Sequence, residues 1–327
     1  MSDPLSLISS TRFHRRVTLD TACGPLTVSF AEIGCITGPA LLFVPGMFAS
    51  RYVGIPLHAF AERAGVRLLV VDRPGMGAST DVPLDRRLAT WVNLLPRLLA
   101  YLGITRVNLV AHSAGTIYLL NTWAKCPPWV DPAYSRVTAM QMAQYVPTKA
   151  FTLWHLIPRF FVTQASPVLA SSGAMFRQKS SQSSAAVEVS RSSLDYGVSR
   201  AEQAELFRLA LPFMHHENTV GANSEALQCL RKSDSDWGVC SDYAQCAQML
   251  AASEQSTGGP VSLRAYFAST DALVGSRGQR YFEQCWQAPG VEAIDFISTT
   301  IDKTDHDTLI QSVEVWGAIF ASIGGRQ

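Results

Sequence analysis

Ala111-His112-Ser113-Ala114-Gly115 follows the apolar run Val107-Asn108-Leu109-Val110 and precedes a helix-forming run, Thr116 to Leu120. A strand, a sharp turn with serine at its tip and then a helix lift a hydroxyl clear of the backbone and aim it at a substrate. Such a turn is tightly packed, so the residues two before and two after the serine must be small. Ala111 and Gly115 meet that demand, with alanine where glycine is the commoner choice. Strand–serine–helix junctions also arise from plain packing, so the pentapeptide needs companions. A serine hydroxyl is a poor nucleophile at neutral pH. It requires an imidazole to take its proton, a carboxylate to hold that imidazole, and N–H donors where charge develops on substrate oxygen.

The elements that must position these groups alternate along the chain. Val17–Leu19 and Leu26–Ile33 read as strands joined in hairpin fashion through Gly24-Pro25. Ala40–Val44 and Arg67–Val71 are continuous apolar runs, as expected of strands buried on both faces, with a helical stretch from Tyr52 to Ala64 between them. Leu88, Trp91, Val92, Leu95, Leu99 and Leu102 keep helical spacing, with a kink expected at Pro96 and a stop at Gly103. Val137–Val146 reads as another strand. From about 147 to 259 helix-like segments replace the alternation. It resumes with a strand at Val261–Ala268, a helix at Gly278–Trp286, a strand at Ile294–Ile297 and a helix carrying Leu309, Val313, Trp316 and Phe320. Such alternation predicts an α/β fold, a mostly parallel doubly wound sheet. Residues 1–146 and 260–327 would form the core, and 147–259 an inserted helical cap over the carboxyl ends of the strands, where ligands bind.

The 327 residues can bury a sizeable core, and 27 basic against 26 acidic side chains argue against nucleic acid as a partner. No stretch approaches the ~18–20 apolar residues of a membrane span. The N-terminus has no basic start before an apolar core, so a secretory signal is not expected. Seven cysteines form an odd set without a Cys-x-x-Cys pair, which suits reduced thiols and a cytoplasmic location. The oligomeric state is not encoded in any pattern found.

Several landmarks in one order resemble the α/β-hydrolase superfamily, in its single-chain form with a helical cap. Val44-Pro45-Gly46-Met47 is similar to its oxyanion loop, with Pro-Gly where His-Gly is commoner. Asp72-Arg73-Pro74-Gly75-Met76-Gly77-Ala78-Ser79 is similar to the loop after the next strand and is the most distinctive string. Ser113 follows, then Asp271 just past the resumed strand, then His306 before the last helix. Serine, acid, histidine is the family's chain order. The resemblance implies Ser113 as nucleophile, His306 as base and Asp271 as the carboxylate that orients it. It implies the backbone N–H groups of Met47 and Ala114 as oxyanion donors, one of which is typically worth ~3–4 kcal/mol in the transition state. Taken singly, Asp271 reads as a surface-loop residue and His306 as a helix-capping neighbour. His112 reads as structural, and Asp72 and Arg73 as loop anchors.

Other constellations lead elsewhere. His215-His216-Glu217 lacks the spacing of a metal motif and reads as a solvated or pocket-lining segment, and Asp234-Ser235-Asp236-Trp237-Gly238 departs from a calcium loop. No dinucleotide turn or Walker loop exists, so no cofactor and no metal are implied. Phe48, Trp154, Phe160, Phe161 and Met214 are the candidate substrate-lining residues, although most apolar cap residues would pack the cap onto the sheet. Their character favours an apolar small-molecule substrate. The expected activity is a serine hydrolase cleaving an ester, lactone or thioester through an acyl-enzyme. The alternatives are a natural-product pathway enzyme of the same fold (cyclase, acyltransferase or carbon–carbon bond hydrolase) and a non-catalytic ligand-binding member. Serine at the elbow argues against epoxide hydrolase and dehalogenase, which resemble this chain but place aspartate there.

Overall fold

The computed structural model describes residues 3–21, 24–126, 136–140, 200–231, 236–257 and 261–324. Among them, β1 (Arg15–Thr21), β2 (Gly24–Gly34), β3 (Ala40–Val44), β4 (Arg67–Val71), β5 (Asn108–His112), β6 (Arg136–Met140), β7 (Val261–Ala268) and β8 (Ile294–Ile301) form one sheet. Its order is β1-β2-β4-β3-β5-β6-β7-β8. The β1–β2 and β2–β4 pairs are antiparallel, and every later pair is parallel. Parallel neighbours need crossovers, and the helices supply them on both faces.

Alternation along the strands sorts the core into two layers. Leu42, Val44, Leu69, Val71 and Leu109 point to one side, where they meet α3 (Arg87–Tyr101), α4 (Gly115–Lys125), α7 (Tyr243–Thr257) and α8 (Gly275–Trp286). Leu41, Phe43, Leu68, Val70 and Val110 point to the other, against α2 (His58–Arg63), α5 (Arg200–His216) and α9 (Val313–Gly324). The period of two in the strands thus decides which helix layer each side chain meets. A short N-terminal helix, α1 (Pro4–Ile8), and α6 (Val220–Cys229) complete the helices used below. Within the stretch expected to form the cap, α7 packs in the sheet-covering layer beside α4 and α8. No helix among the described residues is long and apolar enough to cross a membrane.

The helical stretch read over Tyr52–Ala64 differs from the sequence expectation. The stretch after β3 divides into a 3₁₀ turn over Arg51–Leu57, which contains Pro56, followed by the short α2. Helix α3 continues through Pro96 to Tyr101. The missing Pro96 N–H leaves the Val92 carbonyl without its helical donor, and the Cys126 thiol donates to it at 3.4 Å. That borrowed donor offsets one of the two costs of a proline inside a helix. The predicted stop at Gly103 is observed, with φ +66° and the Ile104 N–H bonded back to the Leu99 carbonyl.

Candidate active site

Strand β5 delivers Ser113 to the carboxyl edge of the sheet, and α4 begins two residues later. The turn forces Ser113 to φ +53°, a conformation that costs a non-glycine residue about 1–2 kcal/mol. Packing must hold it there. A Cβ on Gly115 would lie 2.2 Å from the Val44 carbonyl oxygen, so β3 and the start of α4 approach closely enough to exclude any side chain. Ala111 is fully buried opposite Val44, and its methyl group is accommodated.

Two distant loops bring partners to this serine. His306 Nε2 lies 2.9 Å from Ser113 Oγ, and His306 Nδ1 lies 3.0 Å from Asp271 Oδ2. An ionised carboxylate only accepts, so Nδ1 carries the proton and Nε2 presents its lone pair to the serine hydroxyl. Asp271 sits just beyond β7, where its Oδ1 accepts the N–H groups of Leu273 (2.7 Å) and Val274 (3.0 Å). Burial alone would raise the Asp271 pKa. The hydrogen bond and charge of His306, with these two backbone donors, reverse that and hold it below the usual carboxylate range. Asp302, Asp305 and Asp307 are the other carboxylates near His306 in sequence; Asp302 is exposed, and Asp305 closes its own turn on Thr308, at 2.8 Å from the Thr308 N–H.

His112 was expected to be structural, and its contacts are with the backbone of the histidine loop. Its Nε2 faces the His306 carbonyl oxygen at 2.9 Å, so Nε2–H donates and ties the elbow to that loop. Burial, then the neighbouring His306, push its pKa down to about 4. The ring beside Ser113 is therefore neutral at physiological pH.

The loop after β3 runs beside the elbow. Phe48 takes φ +66° and is half-buried, and the Ala49 N–H closes a turn onto the Gly46 carbonyl at 3.1 Å. Among the described residues the N–H groups of Met47 and Ala114 meet no protein acceptor. Met214, on α5, is buried, and its sulfur accepts the Ser50 N–H at 3.4 Å. Trp154, Phe160 and Phe161 lie outside the described residues.

Asp72 and Arg73, expected as loop anchors, find their partners on other elements. Asp72 Oδ1 accepts the Arg51 N–H at 2.6 Å, and Asp72 Oδ2 meets the Arg51 guanidinium at 2.5 Å. Arg51 Nη1 also donates to Glu217 Oε2 at 2.7 Å, and Nη2 donates to Glu217 Oε1 at 2.5 Å. The expectation of a solvated or pocket-lining His215-His216-Glu217 is thereby corrected for Glu217, whose carboxylate goes to a buried cation. Arg73, also buried, pairs with both oxygens of Glu225 on α6 and donates to carbonyls of the loop after β3. Gly75 and Gly221 meet backbone to backbone, where a Cβ on Gly221 would fall 2.4 Å from the Pro74 oxygen.

The chain belongs to the alpha/beta hydrolase family, whose sequence pattern matches residues 41–315. No curated protein matches it in sequence. Among solved structures it is similar to a carboxylesterase of the thaumarchaeon Nitrososphaera gargenis, at 15% identity and TM-score 0.61, covering 95% of this chain and 99% of that one. A thermophilic esterase from Thermogutta terrifontis is similar at 15% identity and TM-score 0.61, covering 93% and 96% of the two chains. The enol-lactonase of Burkholderia xenovorans LB400 is similar at 14% identity and TM-score 0.59, covering 94% and 98%. At these identities the likeness speaks to the fold.

Proposed function

We propose that this protein is a serine hydrolase acting through an acyl-enzyme on an ester, lactone or thioester of an apolar small molecule. The observation that carries the reading is the relay from Asp271 through His306 to Ser113, at 3.0 and 2.9 Å. In the proposed reaction Ser113 Oγ attacks the carbonyl carbon while its proton passes to His306 Nε2, and Asp271 stabilises the imidazolium. The tetrahedral oxyanion takes hydrogen bonds from the Met47 and Ala114 N–H groups. Collapse expels the leaving group, which receives the proton from His306. Water, deprotonated by the same imidazole, then releases the acid and restores the hydroxyl.

The inserted region between β6 and β7 is proposed as the cap, with α5 and α6 its described parts and α7 returning the chain to the core. Met214 is engaged in fastening α5 to Ser50, so Phe48 is the described apolar residue proposed to line the acyl pocket. The proposed location is the cytoplasm, in keeping with the thiol pattern of the sequence.

A fluorophosphonate probe tests the reading: it should label the native protein and leave Ser113→Ala unlabelled. Asp271→Asn should lower turnover of p-nitrophenyl esters by about 10³–10⁴-fold with the fold intact. An unlabelled native protein would overturn the hydrolase, and an equal loss from Asp302→Asn with Asp271→Asn active would overturn the assignment of the acid.

A further inference from the structure

The peptide unit between Gly46 and Met47 is held on its carbonyl side by a buried cation. Arg73 Nη2 donates to the Gly46 oxygen at 2.8 Å and to the Ala49 oxygen at 3.4 Å, and Nη1 donates to the Pro45 oxygen. A trans peptide places its N–H opposite its C=O, so the bond that fixes the Gly46 oxygen also fixes the direction of the Met47 N–H. Arg73 is in turn set by Glu225, whose Oε2 lies 2.9 Å from Nη2. Both side chains are 1% exposed. The loop is met a second time at the C-terminal end of the same helix, where Met47 packs against the apolar cluster of Ala226, Leu227 and the capping Leu230. Helix α6 is therefore linked to this turn twice, through Arg73 to the Gly46 carbonyl and through the cluster that packs against Met47.

We propose that Glu225 and Arg73 are positioning residues that aim and polarise the Met47 N–H toward the developing oxyanion, coupling α6 of the inserted region to the reaction centre. The inference rests on the hydrolase reading and adds a function to residues that touch no substrate. A guanidinium on the carbonyl oxygen draws electron density through the amide and strengthens its N–H as a donor. Because that donor serves the transition state more than the ground state, its misalignment lowers kcat and leaves KM almost unchanged.

The experiment compares native protein, Glu225→Gln and Arg73→Lys for ester turnover, fluorophosphonate labelling rate and inhibition by an aryl trifluoromethyl ketone, whose serine adduct is an oxyanion. Expected is a loss of about 10–100-fold in kcat with KM within threefold, and an equal fractional loss in ketone affinity. A structural role alone would lower the active fraction without changing the ketone affinity of what remains. Should both variants fail to fold, Leu227→Ala loosens the apolar grip on Met47 and should give a smaller loss of the same kind. Variants that fold and keep native kcat and ketone affinity overturn the inference alone. A native protein that fluorophosphonate does not label overturns the hydrolase reading and this inference with it.

Discussion

His112 illustrates how much one ring beside a nucleophile can be asked to do. It spans the elbow and the histidine loop, and its neutrality would keep a second positive charge away from His306 in the proposed transfer of the serine proton. The same burial ties stability to pH. His112 is neutral in the folded chain down to about pH 4, whereas an exposed histidine protonates near 6.5. Between these values the unfolded chain binds more protons, so stability falls as pH drops from 6.5 to 4, by about 2–3 kcal/mol from this residue. Asp271, held low, works in the same direction further down: its contribution is present above the ordinary carboxylate pKa and is lost as pH falls through its folded value. Urea midpoints of His112→Asn measured between pH 4.5 and 7 should vary less than those of the native protein. An unchanged slope would mean that His112 does not set it.

At the scale of elements, arginine–glutamate pairs fasten α5 and α6 to the segments after β3 and β4. Arg51 joins Asp72 to Glu217 at the end of α5, and Arg73 joins the loop after β3 to Glu225 on α6. Removing the Arg51 guanidinium strands the buried Asp72 carboxylate, so Arg51→Ala should cost about 3–5 kcal/mol in a urea titration. Glu217, with 27% of its side chain exposed, can turn to water when its partner is kept. Glu217→Gln should therefore cost about 1 kcal/mol or less. Equal losses from the two substitutions would contradict the view that Asp72 is the member needing compensation. The glycines of the Asp72–Ser79 loop belong to the same device, since Gly75 lets Gly221 approach main chain to main chain.

The described residues form one sheet with a hydrophobic layer on each side, and the two layers share every strand from β3 to β5. Trp123 and Trp286 stack in one layer, with centroids 6.0 Å apart, while Trp316 packs against Phe43 in the other at 5.2 Å. If the sheet makes these layers one cooperative unit, guanidinium titrations of variants that retain tryptophan on only one face should show coincident midpoints. Separated midpoints would show that one layer can melt alone. The same geometry explains what sequence reading could reach. Buried strands, the elbow and the order Ser113, Asp271, His306 leave local marks: apolar runs, small residues and positions just past strand ends. One helix feature did not follow: Arg51–Leu57 tightens into a 3₁₀ turn around Pro56. The partners of Arg51 and Arg73 had no local mark at all. Glu217 and Glu225 lie 166 and 152 residues downstream, and a lone glutamate in a polar segment looks the same whether it meets water or a buried cation.

That separation along the chain has a temporal side. At roughly 5–20 residues per second of synthesis, about 8–30 s pass between the emergence of Arg73 and of Glu225. Throughout that interval the first half of the sheet carries a guanidinium destined for burial and no counter-ion for it. A nascent chain stalled ahead of Glu225 should therefore keep the segment around Arg73 open to protease, and release past it should close the segment.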